Sequence, residues 1–129
     1  MKTKPKEDYL SILSSVNVPI YNMEFNGFFK DYEKLYHVME LQAKYITAAK
    51  QNKLKICALF YNTDVTKEVI DHFLSLINTC NECIDRIAIT GIPINERAIF
   101  LLKLKTSVRD FNSYQFFAST EDAVNWLNK

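Results

Sequence analysis

Residues 54–77, LKICALFYNTDVTKEVIDHFLSLI, decide the fold class of this chain. After Lys55, the first part of the stretch does not alternate between polar and apolar residues. A strand here would have two apolar faces: Ile56, Ala58 and Phe60 on one, and Cys57, Leu59 and Tyr61 on the other. A strand that buries both faces is typical of an α/β sheet.

The second part of the same stretch predicts an amphipathic helix after a short polar turn. Its apolar residues recur at helical spacing: Val69, Ile70, Phe73, Leu74 and Ile77. Thr66 stands where an N-cap is expected, and Val65 can contact Ile70 as a hydrophobic staple. The stretch therefore predicts one β-turn-α unit at the centre of the domain.

Strands and helices alternate through the rest of the chain. Further strands are predicted at 18–25, 85–91 and 114–118, and further helices at about 31–52, 93–108 and after an N-cap at Ser119. The alternation predicts an α/β fold with a four- to five-stranded, mainly parallel or mixed sheet and flanking helices. We interpret residues 1–17 as a tail with one short element, helix or strand, and residues 18–129 as a single domain.

The outer helices have their own predicted inward faces. These comprise Tyr32, Leu35, Tyr36, Met39, Ala43 and Ile46 in the first and Ala123, Trp126 and Leu127 in the last. The third helix is predicted to run through Arg97, Leu101, Leu104 and about Val108. The third helix is expected to open with Pro93 in its first turn.

Composition excludes several classes of partner. The 129 residues carry 16 Lys plus Arg and 15 Asp plus Glu, and a formal charge of +1 gives no electrostatic reason to expect binding to nucleic acid or an acidic membrane. No apolar run approaches the ~20 residues of a membrane helix, so we expect no membrane insertion and a cytoplasmic location. The three cysteines are expected to be free thiols.

A binding edge is predicted where the strands end. The only two glycines follow predicted strands, and in parallel sheets the loops beyond the strand carboxyl ends lie together. The predicted interaction and regulatory residues are Asn26, Gly27, Asn62, Thr63, Asp64, Thr66, Gly91 and Arg97. The alternative is that the glycines only permit tight turns.

Adjacent rings at 28–29 and 116–117 point in divergent directions, so one ring of each pair can be exposed and suit a partner surface.

Motifs for catalysis, metals or cofactors are weak. Cys80 and Cys83 have the spacing of a redox pair or half a zinc site, but they fall near a predicted helix C-terminus, where the dipole disfavours thiolate. His37 and His72 fit the solvated faces of helices, with no nucleophile motif beside them. Two glycines cannot make a phosphate-binding loop. We therefore expect no enzyme activity, metal or cofactor.

The order of elements, with RIAITG at 86–91 and FASTEDAVNWL at 117–127, resembles the SpoIIAA-like or STAS-like proteins, in particular their small bacterial single-domain branch. The resemblance covers about Ile20 to Lys129. It implies a regulatory protein-interaction module of the α/β class with a protein partner. The best understood members are anti-sigma-factor antagonists, switched by a kinase that modifies Ser in an Asp-Ser-Ser-Gly-like turn.

This chain has a turn at the same position in the order of elements, but its residues differ from that pattern. The corresponding segment, Asn62 to Lys67, has no Ser-Ser-Gly, so the phosphorylation site is not carried over and Thr66 is expected to act first as an N-cap. The alternative function is a small-molecule or lipid carrier, or an unfamiliar enzyme, with an apolar pocket lined by Phe28, Phe29, Tyr61 and Ile92.

Overall fold

The computed structural model describes residues 20–49, 54–107 and 113–129. In these residues four strands alternate with four helices. The strands are β1 (Ile20–Glu24), β2 (Leu54–Leu59), β3 (Ile84–Thr90) and β4 (Tyr114–Phe117). The helices are α1 (Tyr32–Ala49), α2 (Lys67–Thr79), α3 (Ile94–Ser107) and α4 (Thr120–Leu127), with a 3-10 turn at Asn81–Cys83.

The described strands form one sheet in the order β1-β2-β3-β4, and every neighbouring pair is parallel. The prediction of an α/β fold with a mainly parallel sheet is therefore confirmed, with four strands, and the mixed alternative is wrong for these residues. Since consecutive parallel strands are joined by right-handed crossovers, α1, α2 and α3 all lie on one face. Their packing agrees, because α2 contacts both α1 and α3.

The three-helix face holds the larger part of the core. Ile56, Ala58 and Phe60 point into it, as the apolar pattern predicts. The rings of Phe25, Phe60, Phe73 and Phe100 meet at centroid distances of 5.3 to 6.4 Å, mostly edge to face. Such arrangements are the favoured ones for aromatic pairs. The three helices thus explain why the face of β2 that carries Ile56 and Ala58 is apolar.

The opposite face of the sheet packs against α4, which contacts β2, β3 and β4. Cys57 and Leu59 lie in this second cluster with Ala123 and Leu127. Ser119 caps α4, since its hydroxyl accepts from the backbone N–H of Asp122 at 3.1 Å. Trp126 is half-buried, between the ring of Phe117 at 5.5 Å and the guanidinium of Arg86 at 5.0 Å.

The predicted third helix is present as α3, and its buried face is narrow. Phe100 and Leu104 are buried, whereas Leu101 is 41% exposed. The helix is apolar around much of its circumference, so spacing alone did not select the buried stripe. Pro93 precedes the first helical residue, and its carbonyl accepts from the N–H groups of Glu96 and Arg97. The predicted short element in 1–17 lies outside the described residues.

Candidate functional site

The loops after β1 and β2 are hydrogen-bonded to each other at the carboxyl edge of the sheet. The N–H of Gly27 donates to the carbonyl of Tyr61 at 2.8 Å, and the N–H of Tyr61 donates to the Asn26 side-chain oxygen at 2.8 Å. We call residues 25–31 and 60–66 the paired loops. The Asn-Gly sequence suits this role, because Gly27 has a φ of 77° and Asn26 supplies the side-chain acceptor.

Thr63 joins the paired loops from within. Its hydroxyl donates to the carbonyl oxygen of Phe25 and accepts from the N–H of Phe28 at 3.1 Å. The side chain is buried, so each of these bonds satisfies a group that water cannot readily reach. Thr63 therefore sets the separation of the two loops.

Phe29 stands in a backbone conformation that is unfavourable for its residue type. Its φ is 51°, in the left-handed region. Two backbone bonds hold it there: its N–H donates to the carbonyl of Asn62 at 2.9 Å, and its carbonyl accepts from the N–H of Asp64 at 2.7 Å. The side chain is nevertheless 65% exposed. Backbone strain of this kind is concentrated at binding and catalytic sites, because stability alone does not retain it.

The third loop meets the paired loops through Gly91. A Cβ on Gly91 would lie 2.6 Å from the backbone nitrogen of Tyr61, and the φ of 85° also requires glycine. Arg97 lies in the first turn of α3, and its Nε donates to the carbonyl of Ile92 in this loop at 2.9 Å. The side chain of Arg97 thus stabilises the entry to α3.

Charged and polar side chains surround Phe29. The Tyr32 hydroxyl donates to Asp64 at 2.5 Å, and Lys30 Nζ lies 3.8 Å from the same carboxylate. The hydrogen bond to Asp64 raises the pKa of Tyr32 to about 12, with smaller contributions from burial and nearby negative charge. Asp31 caps the start of α1 by accepting from the N–H of Lys34 at 3.3 Å.

Thr66 has the predicted capping role. Its hydroxyl accepts from the backbone N–H of Val69 at 3.1 Å, in an extended conformation that is typical of an N-cap. The flanking Val65 and Ile70 are both buried, as the staple requires.

The structure brings most of the predicted site residues to one edge, and Arg97 in the first turn of α3 is bonded back to the loop before that helix. Phe28 packs partly against the core while Phe29 is exposed, so the two rings diverge as predicted. Phe116 and Phe117 are both half-buried, on opposite faces of the sheet. The predicted apolar pocket does not form one open lining, because Ile92 is buried in the core. Whether the edge binds a partner stays a prediction.

An aromatic stack between α1 and α2 was missed by the sequence reasoning. The rings of Tyr32 and Tyr36 stack at 6.4 Å, and the exposed His72 lies on Tyr36 at 3.6 Å. The spacing of 32 and 36 could have indicated a contact within α1. The contact with His72 depends on how α1 and α2 pack, which the sequence does not specify.

The cysteines lie away from this edge. Cys57 is buried under α4, and burial raises its pKa to about 11. Cys80 is the C-cap residue of α2, and burial also raises its pKa. Cys83 is half-buried. Among the residues that the structure describes, no cluster of three or more His, Cys, Asp or Glu side chains could hold a metal ion.

Comparison with family models, with curated proteins and with solved structures found no match to this chain. In the described ranges, no helix is both long enough and apolar enough to cross a membrane.

Proposed function

We propose that this chain is a cytoplasmic, non-enzymatic protein-interaction module with a regulatory role, and that a protein partner binds the paired loops with Phe29 at the centre of the contact. The observation that carries the proposal is the combination at Phe29 of a left-handed backbone and a 65% exposed ring. Hydrophobic burial does not account for an exposed ring, and turn formation does not account for phenylalanine where glycine or asparagine fits better.

The geometry favours binding because the backbone that carries the ring is ordered before a partner arrives. The backbone on both sides of Phe29 is held by bonds to Asn62 and Asp64. A preordered aromatic side chain loses little conformational entropy on association, and aromatic residues are enriched in the buried centres of protein interfaces. The two backbone bonds therefore orient the Cα–Cβ bond of Phe29 before association.

The charges around the ring indicate what the partner surface must offer. Lys30, Asp31 and Lys34 are exposed, and Asp64 is half-buried. An apolar pocket for Phe29, surrounded by groups of both signs, would match this arrangement better than a uniformly charged surface.

The STAS-like resemblance supports the same class of function. The α/β sheet with its binding edge agrees with what that family implies, and Thr66 occupies the place where relatives carry a switchable Ser. The Ser-Ser-Gly context is missing, so the proposal does not include the kinase switch.

The experiment is site-specific photo-crosslinking. Benzoylphenylalanine is placed at position 29 and, as a matched control, at Tyr45, which is 66% exposed near the other end of α1. Irradiation in cells of the source organism should give a protein adduct at 29 that is absent at 45. The same adducts at both positions, or no protein adduct at 29, would reject the proposal. A small molecule that native mass spectrometry finds on the purified chain, without an adduct at 29, would instead support the carrier function.

A further inference from the structure

Cys80 and Cys83 lie at the opposite edge of the sheet, in the turn that joins α2 to β3. The N–H of Cys83 donates to the carbonyl of Cys80 at 2.8 Å, and a 3-10 turn occupies Asn81–Cys83. A turn closed by this bond holds its first and fourth Cα atoms within about 7 Å. Disulfides span Cα separations of about 4.4–6.8 Å. In a 3-10 turn the side chains at i and i+3 also eclipse one another, which favours Cys80 and Cys83 on the same side of the turn.

Cys80 and Cys83 both belong to the lining of one open cleft. The cleft has a volume of about 440 Å³, and the remaining lining residues are all polar: Thr47, Asn78, Thr79, Asn81 and Glu82. A volume of this order is sufficient for a small molecule. Amide, hydroxyl and carboxylate groups suit a polar, peptide-like compound better than an apolar one. We call this site the thiol cleft.

We propose that Cys80 and Cys83 form a redox modification site that reacts with small polar disulfides of the glutathione type and closes to an internal disulfide. Cys83, the more exposed thiol, is the first to react. Its thiolate attacks one sulfur of R–S–S–R and expels RS⁻, which leaves a mixed disulfide on Cys83. The Cys80 thiolate then attacks the Cys83 sulfur and expels a second RS⁻. The two protein thiols lose two protons and two electrons, and the reagent becomes two RSH.

The surroundings of Cys80 favour attack on Cys83 over reaction with a reagent in solution, and they favour the disulfide product over the reduced pair. Its thiol is buried against α1, where it donates to the carbonyl of Ala43 at 3.7 Å and lies 4.0 Å from the Thr47 hydroxyl. A reagent in solution reaches such a sulfur poorly, whereas a mixed disulfide three residues away reaches it within the turn. Burial raises the pKa of Cys80, so the reduced form gains no stabilisation as thiolate. A dithiol of this kind forms a stable disulfide more readily than one whose thiolate is stabilised.

The sequence places the two cysteines near a helix C-terminus, where the dipole disfavours thiolate. The structure confirms this placement, since Cys80 is the C-cap of α2. The placement lowers the fraction of thiolate, and with it the rate of attack. It does not prevent ring closure, which depends on the distance and direction of the two side chains. The structure meets the backbone part of this condition, since Cys80 and Cys83 are the first and fourth residues of one hydrogen-bonded turn and line the same cleft.

The test uses the full, reduced chain and oxidised glutathione, followed by intact mass and peptide mapping. The wild type should lose two hydrogen atoms and give a linked peptide spanning Cys80 and Cys83. Cys80→Ser should stop at a glutathione adduct on Cys83. Cys57, buried on the other face of the sheet, should stay unmodified in each sample and serves as an internal control for folding.

The same reaction in denaturant measures what the fold contributes. The ratio of internal to mixed disulfide should be at least about tenfold higher in the folded chain, because the turn raises the effective concentration of one thiol at the other. A wild type that stays unmodified, one that accumulates the mixed disulfide on Cys83, or an equal ratio in the folded and denatured chain would each overturn the proposal. Since the wild type alone decides, the result does not depend on whether the serine variant folds.

Discussion

The connections at the two ends of the sheet are stabilised by different hydrogen bonds. At the carboxyl end, the paired loops are hydrogen-bonded to each other through Asn26, Gly27, Tyr61 and Thr63, and they hold a strained Phe29. At the amino end, the described connection between α2 and β3 is one short turn beside an open cleft. One end is braced by bonds between loops, and the other by bonds within a single turn.

This difference shows how the same sheet can support two kinds of chemistry. A strained, exposed ring needs a network that fixes its backbone, because otherwise the loop would relax. A pair of thiols needs only a local turn and access for a reagent. We therefore place protein binding at the carboxyl end and thiol modification at the amino end.

The largest expected effect tests how tightly the carboxyl end is built. Gly91→Ala should lower the free energy of unfolding by about 3 kcal/mol, since the new Cβ would meet the backbone of Phe60 and Tyr61 at a positive φ. Gly27→Ala is the matched control. Its φ is also positive, but a Cβ there meets nothing within 4 Å, so the loss should be about 1 kcal/mol. Urea denaturation compares the two, and equal losses would contradict the close contact at Gly91.

Thr63 tests whether hydrogen bonds hold the paired loops. Thr63→Val should lower the free energy of unfolding by about 2 kcal/mol, because the N–H of Phe28 and the carbonyl of Phe25 each lose a partner. Thr90 is a second buried threonine, and among the described residues its hydroxyl has no hydrogen-bond partner. Thr90→Val should therefore be neutral or slightly stabilising. Chemical denaturation of both variants measures the difference. If Thr63→Val lost less unfolding free energy than Thr90→Val, the hydrogen bonds of Thr63 would not hold the paired loops together.

The two ends of α2 give a smaller contrast. Thr66→Ala removes the N-cap at the carboxyl end and should lower the free energy of unfolding by about 1 kcal/mol, while Thr66→Ser should retain it. Thr79, at the other end, only donates to the Ser75 carbonyl within the helix. Thr79→Ala should change stability by less than about 0.5 kcal/mol. Thermal unfolding of the three variants tests this, and an equal effect at both ends would remove the capping role.

The smallest effect separates two tyrosines whose pKa is raised to about 12 for different reasons. For Tyr32 the main cause is the hydrogen bond to Asp64, and for Tyr21, near the amino end of β1, it is burial. Asp64→Ala should bring the pKa of Tyr32 back toward 10.0 and leave Tyr21 unchanged. NMR titration of the tyrosine ring carbons measures both, and a Tyr32 that still titrates near 12 in Asp64→Ala would contradict the assignment.

The sign of the stability effect follows from the direction of the shift. The folded pKa of Tyr32 lies above its ordinary value of 10.0, so the contribution of the Tyr32–Asp64 bond is fully present below pH 10. It is lost as the pH rises through about 12, when the phenolate faces the carboxylate. Tyr32→Phe should remove this part of the pH dependence of stability. Urea denaturation of the wild type and the variant between pH 10 and about 12 measures the difference.

The sequence predicts the α/β architecture well because its signals are local and repeated. The two apolar faces of β2, the N-cap at Thr66 and the N-cap at Ser119 each depend on residues within a few positions. The meeting of Gly27, Asn62 and Gly91 at one edge also follows, since parallel strands all end at the same side.

Other features depend on contacts between distant residues, and the sequence does not encode them in a readable pattern. The left-handed backbone of Phe29 is set by bonds to Asn62 and Asp64, more than thirty residues away. The choice of Phe100 over Leu101 for the core of α3 depends on where α2 packs. The placement of Cys80 and Cys83 in one hydrogen-bonded turn depends on the 3-10 geometry of Asn81–Cys83.

The measurement that tests the central claim most directly is the affinity of the crosslinked partner for Phe29→Gly. Glycine accepts the left-handed backbone without strain, so this variant should be more stable than Phe29→Ala by about 1 kcal/mol and should keep the paired loops intact. Because the ring is absent, isothermal titration should show binding at least about tenfold weaker than for the wild type. An affinity equal to that of the wild type, in a variant that folds, would contradict the claim that the strained ring is held for a protein partner.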